Sequence, residues 1–273
     1  MLKVFGFVRR NPRLTHDEYR AAHAGYHASY GRRLTGIRGY VLNVRASRPL
    51  EEAIGPEAAA VLTRQAPEGF DDAWDGWGQL MFDDLLAYLD SRIPTPDRAG
   101  PNGLESDPKV AEVGGDGPYL YAGSAMQFHV DEHIAVEVSR PERRLFKLAL
   151  FCKRPAAMAP GAFRARWTRE WAQPFNHLPG LRGHIVNFRT DLDVLTGFVN
   201  LSAEGFTPAG IARREAFYGW WDGIAELWFD GPEHLADGVR AGAFDLLPSG
   251  AWFCREVDET LVVAPDRSAG NPR

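Results

Sequence analysis

Apolar residues in this chain gather into short alternating runs, separated by stretches with helical spacing, and the order of these runs occurs twice. Leu2 to Val8 and Phe146 to Cys152 each predict a strand with two unlike faces. Leu2, Val4, Gly6 and Val8 form a purely apolar face, whereas Lys3, Phe5, Phe7 and Arg9 form a mixed one. The second run divides likewise, with Phe146, Leu148, Leu150 and Cys152 against Lys147, Ala149, Phe151 and Lys153. The apolar faces are predicted to meet helices and the mixed faces to line an interior.

Thr15 followed by Glu18 is a capping-box pattern, predicting a helix that runs to about Leu34. In the second half the helix starts after Pro160, and Pro174 predicts a kink or early stop before Pro179-Gly180. Second strands follow over Gly39 to Arg45 and Gly183 to Arg189. Third strands run from Asp75 to Asp83 and from Asp222 to Asp230, and shorter helices from Asp84 to Arg92 and from Pro232 to about Ala243. Last strands carry Val130-Asp131-Glu132 and Val257-Asp258-Glu259. Each half is thus β-α-β-β-α-β, the ferredoxin-like split βαβ order.

The repetition extends to residue identity. Leu2 to Arg45 aligns without a gap on Phe146 to Arg189, displaced by 144 positions, with 12 identities in 44. Segments of ordinary composition would share about three. The matches include Lys3/Lys147, Phe7/Phe151, Arg10/Arg154, Gly36/Gly180, Arg38/Arg182 and Asn43/Asn187. The domains implied are 1–139 and 140–265, with 266–273 expected to be a disordered tail. The fold class expected is α+β, two ferredoxin-like repeats packed as an intrachain dimeric α/β barrel around an apolar pocket. Segments Ala46 to Trp74, Ile93 to Gly123 and Thr190 to Trp221 are expected to be irregular, serving as lids, solvated surface or dimer contacts.

A net charge of −5, with 25% charged residues and no long apolar run, argues against nucleic-acid and membrane partners. The expectation is a cytoplasmic protein that binds a hydrophobic small molecule, with a homodimer left open. Cys152 and Cys254 are the only cysteines, which argues against a disulfide framework.

The pattern Arg9-Arg10, Thr15, Tyr19-x-x-x-His23-x-x-x-His27, Gly36-Ile37 and Tyr40-x-x-Asn43 resembles the EthD-like family of the dimeric α/β barrel group. So does Lys153-Arg154, Phe163-x-x-x-Trp167-x-x-x-Trp171, Pro179-Gly180-Leu181 and His184-x-x-Asn187. The resemblance implies small-molecule metabolism, and singles out His27 as the family histidine, replaced by Trp171 in the second half. The family's strand tyrosine is Tyr40 in the first half and His184 in the second.

Several side chains are candidates for chemistry. His27 suits proton transfer because imidazole titrates near neutrality. Glu226, equivalent to Gln79 and flanked by Ile224 and Trp228, would have its pKa raised in an apolar cavity and could act as acid or base. Tyr40 and His184 could donate hydrogen bonds to a developing oxyanion, and His129 is a further acid/base candidate. Asp131-Glu132 recurs as Asp258-Glu259, which suggests a repeated structural or surface role. Lys3, Phe5, Phe7, Trp77, Gln79, Phe151 and Trp228 are expected to bind substrate. His23 and His27 lie four apart without a third ligand, so no metal site is expected.

The function expected is a cofactor-independent enzyme with acid/base chemistry, of dehydratase, cyclase or isomerase type, acting on a hydrophobic carbonyl or phenolic compound. Two alternatives stay open. One is an oxidoreductase on an aromatic, either cofactor-free or haem-dependent with His27 or His184 as ligand. The other is a ligand-binding protein without turnover.

Overall fold

The structure, a computed structural model, describes residues 1–91, 116–123, 125–190 and 207–267. The strands are β1 (Leu2–Val8), β2 (Gly39–Arg45), β3 (Gly76–Phe82), β4 (Met126–Val136), β5 (Phe146–Cys152), β6 (Leu181–Arg189), β7 (Gly223–Phe229) and β8 (Trp252–Val263). They close an antiparallel barrel in the order β1-β3-β2-β8-β5-β7-β6-β4. The halves contribute matching runs, β4-β1-β3-β2 and β8-β5-β7-β6.

The last strand of each half joins it to the other. Met126 to Val130 of β4 pairs with β1, and Val130 to Val136 with β6. Correspondingly, Trp252 to Val257 of β8 pairs with β5, and Val257 to Val263 with β2. A strand of 11 or 12 residues can serve both neighbours, whereas 7 residues suffice for β1 or β5. Closure leaves no sheet edge to pair with other chains.

Alternation sorts the side chains as the pattern predicts. Val4 and Phe82 pack with Leu34 and Tyr88 outside the barrel, and Leu148, Leu150 and Cys152 pack with helical Phe163 and Trp167. The capping box is present, with Thr15 Oγ1 accepting from Glu18 N–H and the Glu18 carboxylate from Thr15 N–H. It opens α1 (His16–Ala22), which passes through a π-helical turn (His23–His27) into α2 (Ala28–Gly31). The second half has the same interruption, with a helix (Pro160–Arg166), a π turn (Trp167–Trp171) and a short helix (Gln173–Asn176).

Two expectations about the irregular segments are corrected. Residues 46–74 contain α3 (Leu50–Ile54) and α4 (Pro56–Thr63). Leu50, Ile54, Ala58 and Leu62, spaced by four, bury one stripe against the outer core of the second half. Residues 190–221 contain a 13-residue helix (Pro208–Trp220). Most of 93–123 lies outside the described residues, apart from 116–123. The presumed tail begins as packed chain, because Asp266 N–H bonds Arg38 O and Arg267 pairs with Glu132. Residues 268–273 lie outside the described residues.

The apolar lumen expected from the sequence is also corrected. One end is filled, because Phe70, Trp74, Phe217 and Trp221 insert among Phe5, Phe7, Trp77, Phe128, Phe151 and Phe253. Ring centroids here approach to 4.5 Å (Phe70 and Phe253) and 4.9 Å (Phe7 and Phe217). The other end is lined by charge.

Candidate functional site

Two polar clusters result from this architecture, one inside the barrel and one outside it. Within the lumen, Lys3 Nζ lies 2.7 Å from both Glu132 Oε2 and Asn187 Oδ1. The same arrangement recurs where Lys147 Nζ meets Asn43 Oδ1 at 2.6 Å and Glu259 Oε2 at 2.8 Å. Each lysine therefore binds the asparagine of the opposite half. Between them lies Glu226, 2.6 Å from Lys147, 3.5 Å from Lys3 and 2.5 Å from Gln79 Nε2. The equivalent positions 79 and 226 thus touch at the centre of the molecule.

This placement corrects the expected chemistry of Glu226. Burial alone would raise its pKa, but Lys147 and Lys3 beside it hold the carboxyl down at about 2. A carboxylate so firmly ionised cannot act as a general acid near neutrality. Glu132 and Glu259 likewise lie below the ordinary range, because the adjacent Lys and Arg outweigh their burial. At the mouth, Arg267 bonds Glu132 and Arg140 bonds Glu259. A cavity of about 200 Å³ opens there, with Lys3, Gln79, Glu226 and Trp228 among its walls. Four expected site residues therefore share one cavity. Phe5, Phe7, Trp77 and Phe151 lie deeper, fully buried against other aromatics, with no face left for a ligand.

The second cluster lies in the helical layer of the first half. The π turn stacks His23 on His27, with ring centroids 5.1 Å apart and planes 4° from parallel. A π insertion changes the helical phase, and such turns often accompany functional sites. His27 Nδ1 is 2.8 Å from Asp116 Oδ2, and His23 Nδ1 is 3.0 Å from Tyr121 Oη. Tyr19 stacks on the far side of His23, at 5.1 Å. Burial, reinforced by His27, keeps His23 well below its usual pKa and hence neutral. Burial pushes the Tyr19 and Tyr121 phenols up, with Tyr40 near enough to contribute to both. Among the described residues Tyr19 Oη and His23 Nε2 are buried without a hydrogen-bond partner, while the His27 side chain remains 25% exposed.

The corresponding positions of the second half carry no such set. Phe163, Trp167 and Trp171 replace Tyr19, His23 and His27, and pack with Phe188 into a closed apolar layer. His184, opposite Tyr40 in the repeat, bonds Asn176 at 2.7 Å. Burial and neighbouring His133 lower its pKa to about 3, so it remains neutral. It lies outside the barrel, one register pair from Glu226 but on the opposite face of the wall, and in the other half from His27. His129 is buried outside the barrel wall, its ring 6.3 Å from Tyr88 of the helix Leu85–Asp90. The structure therefore brings His27 and Tyr40 into one layer, and separates them from Glu226, His184 and His129.

Asp116, Tyr121 and Tyr19 are the participants in the outer cluster that sequence reasoning missed. Tyr19 stands four residues before His23, the spacing that places both on one helical face. Asp116 and Tyr121 come from a distant segment and carried no local signal. In the lumen, Glu132 and Glu259 were assigned a structural or surface role, yet their recurrence in both halves was itself the available signal. Among the described residues no group of three or more His, Cys, Asp or Glu could hold a metal ion. No described helix is long and apolar enough to cross a membrane.

No family model matches the chain, and no curated protein does. Solved structures match it in overall shape. A candidate monooxygenase from Fusobacterium nucleatum subsp. nucleatum is 9% identical, with 96% of this chain and 92% of that one covered and a TM-score of 0.46. An anthrone oxidase-like protein is 10% identical, with 97% and 96% covered and a TM-score of 0.45. A chlorite dismutase variant from Candidatus Nitrospira defluvii is 11% identical, with 94% and 91% covered and a TM-score of 0.42. The likenesses span nearly the whole of each chain but are weak, and neither residue roles nor activity transfer through them.

Proposed function

We propose that this chain is a small-molecule enzyme of EthD-like type, built from two ferredoxin-like repeats, in which only the first half retains a proton-transfer site. The observation that carries this reading is the His27–Asp116 contact beside a neutral, stacked His23. A carboxylate that accepts from Nδ1–H leaves the Nε2 lone pair as the base and stabilises the imidazolium once a proton arrives. Tyr121 and Tyr40, both phenols in the same layer, are suited to donate hydrogen bonds to a substrate oxygen.

The surrounding aromatic rings favour a hydrophobic carbonyl or phenolic substrate. In a dehydration, His27 takes a proton from carbon, the C–H electron pair forms the new double bond, and the departing hydroxide receives that proton as water. Isomerisation and cyclisation use the same first step and return the proton elsewhere. Removal of a phenolic proton by the same base could instead prepare an aromatic for oxidation by dioxygen, so oxygen uptake belongs in the same test.

The test is a panel of hydrophobic carbonyl and phenolic compounds incubated in D2O, followed by NMR and by an oxygen electrode. Solvent deuterium should enter a carbon position or a product. His27→Ala should lower the rate about 100-fold or more and Asp116→Asn by a comparable factor. Undiminished turnover in His27→Ala would overturn the proposal. Haem titration completes the test, since a Soret band moved by His27→Ala would replace the cofactor-independent reading with the haem-dependent one.

A further inference from the structure

Two short segments wall the charged mouth of the lumen, one after the last strand of each half. Residues 137–140 follow β4 and residues 264–267 follow β8. The two are built alike. Ser139 N–H bonds Arg182 O and Asp266 N–H bonds Arg38 O, both at 2.7 Å. Arg140 reaches Glu259 and Arg267 reaches Glu132, the glutamates that hold Lys147 and Lys3. Each segment also rests on a glycine. A side chain at Gly183 would meet Val138 Cα at 3.0 Å, and one at Gly39 would meet Pro265 Cα at 3.0 Å.

They differ in how they are anchored. Residues 137–140 lie between two strands, since the chain continues into β5 at Phe146. Among the described residues, 264–267 is tied to a strand on one side only, at β8. It leaves the barrel at a bulge, because Leu261 pairs with Val41 and Val263 with Tyr40, which leaves Val262 without an opposite residue. Bulges re-aim a strand and end its pairing. Beyond the bulge, the Asp266 and Arg267 bonds hold the segment, together with the pull of Glu137 on Arg267 and the seat of Pro265 on Gly39. None of its four residues is buried. Contacts this exposed are individually weak, and segments held by them open without global unfolding. Release leaves no carboxylate unpaired. Glu132 keeps Lys3 at 2.7 Å, and the Arg267 side chain, already 29% exposed, passes into water.

We infer that residues 264–267 are a latch on the lumen, with Val262 as hinge and Arg267 as catch, and that their release is the route by which a small molecule reaches Lys3, Gln79 and Glu226. With the latch shut, Lys3 and Glu226 are 2% and 1% exposed. Ala264, Pro265 and Arg267 are one wall of the cavity of about 200 Å³, and the strands that form the rest stay paired when that wall moves. The latch belongs to the lumen and does not depend on the proton-transfer role proposed for His27.

Lysine acetylation read by mass spectrometry tests this on the full chain, which has only four lysines: Lys3, Lys109, Lys147 and Lys153. Lys153, 41% exposed, is the unprotected reference. In the unaltered protein Lys3 should react slowly, and faster as added salt screens Arg267. Dilute urea should barely change that rate, as expected of local opening. Arg267→Gln should speed acetylation of Lys3 about tenfold relative to Lys153. Arg140→Gln, the same change in the segment held at both ends, should leave Lys147 within about twofold of its original rate. Asp266→Pro removes the N–H donated to Arg38 O and should act as Arg267→Gln does; if circular dichroism shows one of the two misfolded, the other carries the expectation. Lys3 acetylation left unchanged by a folded opening variant, an equal gain at Lys147 in Arg140→Gln, or labelling of Lys3 with the full urea dependence of global unfolding would each overturn the inference.

Discussion

Four polar pairs identical in both halves do two physical jobs. Arg10 and Arg154 reach the carbonyls of Leu14 and Met158, while their N–H groups bond Asp75 and Asp222 at 2.8 and 2.9 Å. Arg38 and Arg182 pair bidentately with Asp83 and Asp230 at the other end of the third strands. These residues pin strand ends. Lys3, Lys147, Asn43 and Asn187 instead hold the two halves together across the lumen. Their energetics are testable. Lys147, 1% exposed, compensates both Glu226 and Glu259. Lys147→Met should therefore cost about 3–5 kcal/mol, because it takes the buried cation away from two buried carboxylates. Adding Glu226→Gln should recover part of that loss in urea unfolding. Independent, additive effects would show that the two residues do not form one network.

At the scale of elements, the strands and first helices were legible because period-2 alternation and the Thr15–Glu18 cap are local signals. The π turns were not. His23 and His27 were visible as a pair four apart, but not their stacking on Tyr19, nor the approach of Asp116. The outer layer also depends on close contact that the sequence did not reveal. A side chain at Gly31 would overlap the ring of Tyr40. An alanine in a helix normally stabilises it relative to glycine. Gly31→Ala should do the reverse here, destabilising the protein by about 1–3 kcal/mol through displacement of Tyr40. Thermal unfolding decides the sign, and a raised midpoint would mean that Tyr40 is not held against this helix.

For the whole molecule, alternation conveyed the eight strands of an α+β barrel, while the contents of the lumen were misjudged. The aromatic plug comes from the segments just before the third strands, where Phe70 and Trp74 match Phe217 and Trp221 at a displacement of 147, and alternation along a strand says which face points inward but not what fills the space. Glu226 illustrates the consequence. Beside Ile224 and Trp228 it looked like a carboxyl in an apolar cavity, and only the assembled barrel delivers Lys3 and Lys147 to it.

Below neutrality the buried His184 and Glu226 make stability depend on pH in one direction. His184 stays neutral down to about 3 in the folded chain, so the unfolded chain binds its proton first as pH falls below about 6.5. Glu226 stays ionised down to about 2, and its contribution is full above about 4.5 and lost between there and 2. Both depressed pKa values favour unfolding in acid. The urea midpoint should therefore fall below pH 6.5 and fall further below 4.5, and the lower limb should flatten in Glu226→Gln. A midpoint that rises on acidification would contradict this account.

The central claim is that Asp116 sets His27 up as a base, and the most direct test is the tautomer of that ring. Long-range ¹H–¹⁵N NMR of the histidine-labelled protein above pH 8 reports which nitrogen carries the proton. The account predicts Nδ1–H with an unprotonated Nε2 for His27, reverting toward Nε2–H in Asp116→Asn. A His27 ring protonated on Nε2 in the unaltered protein would contradict it, because no lone pair would then remain for a substrate proton.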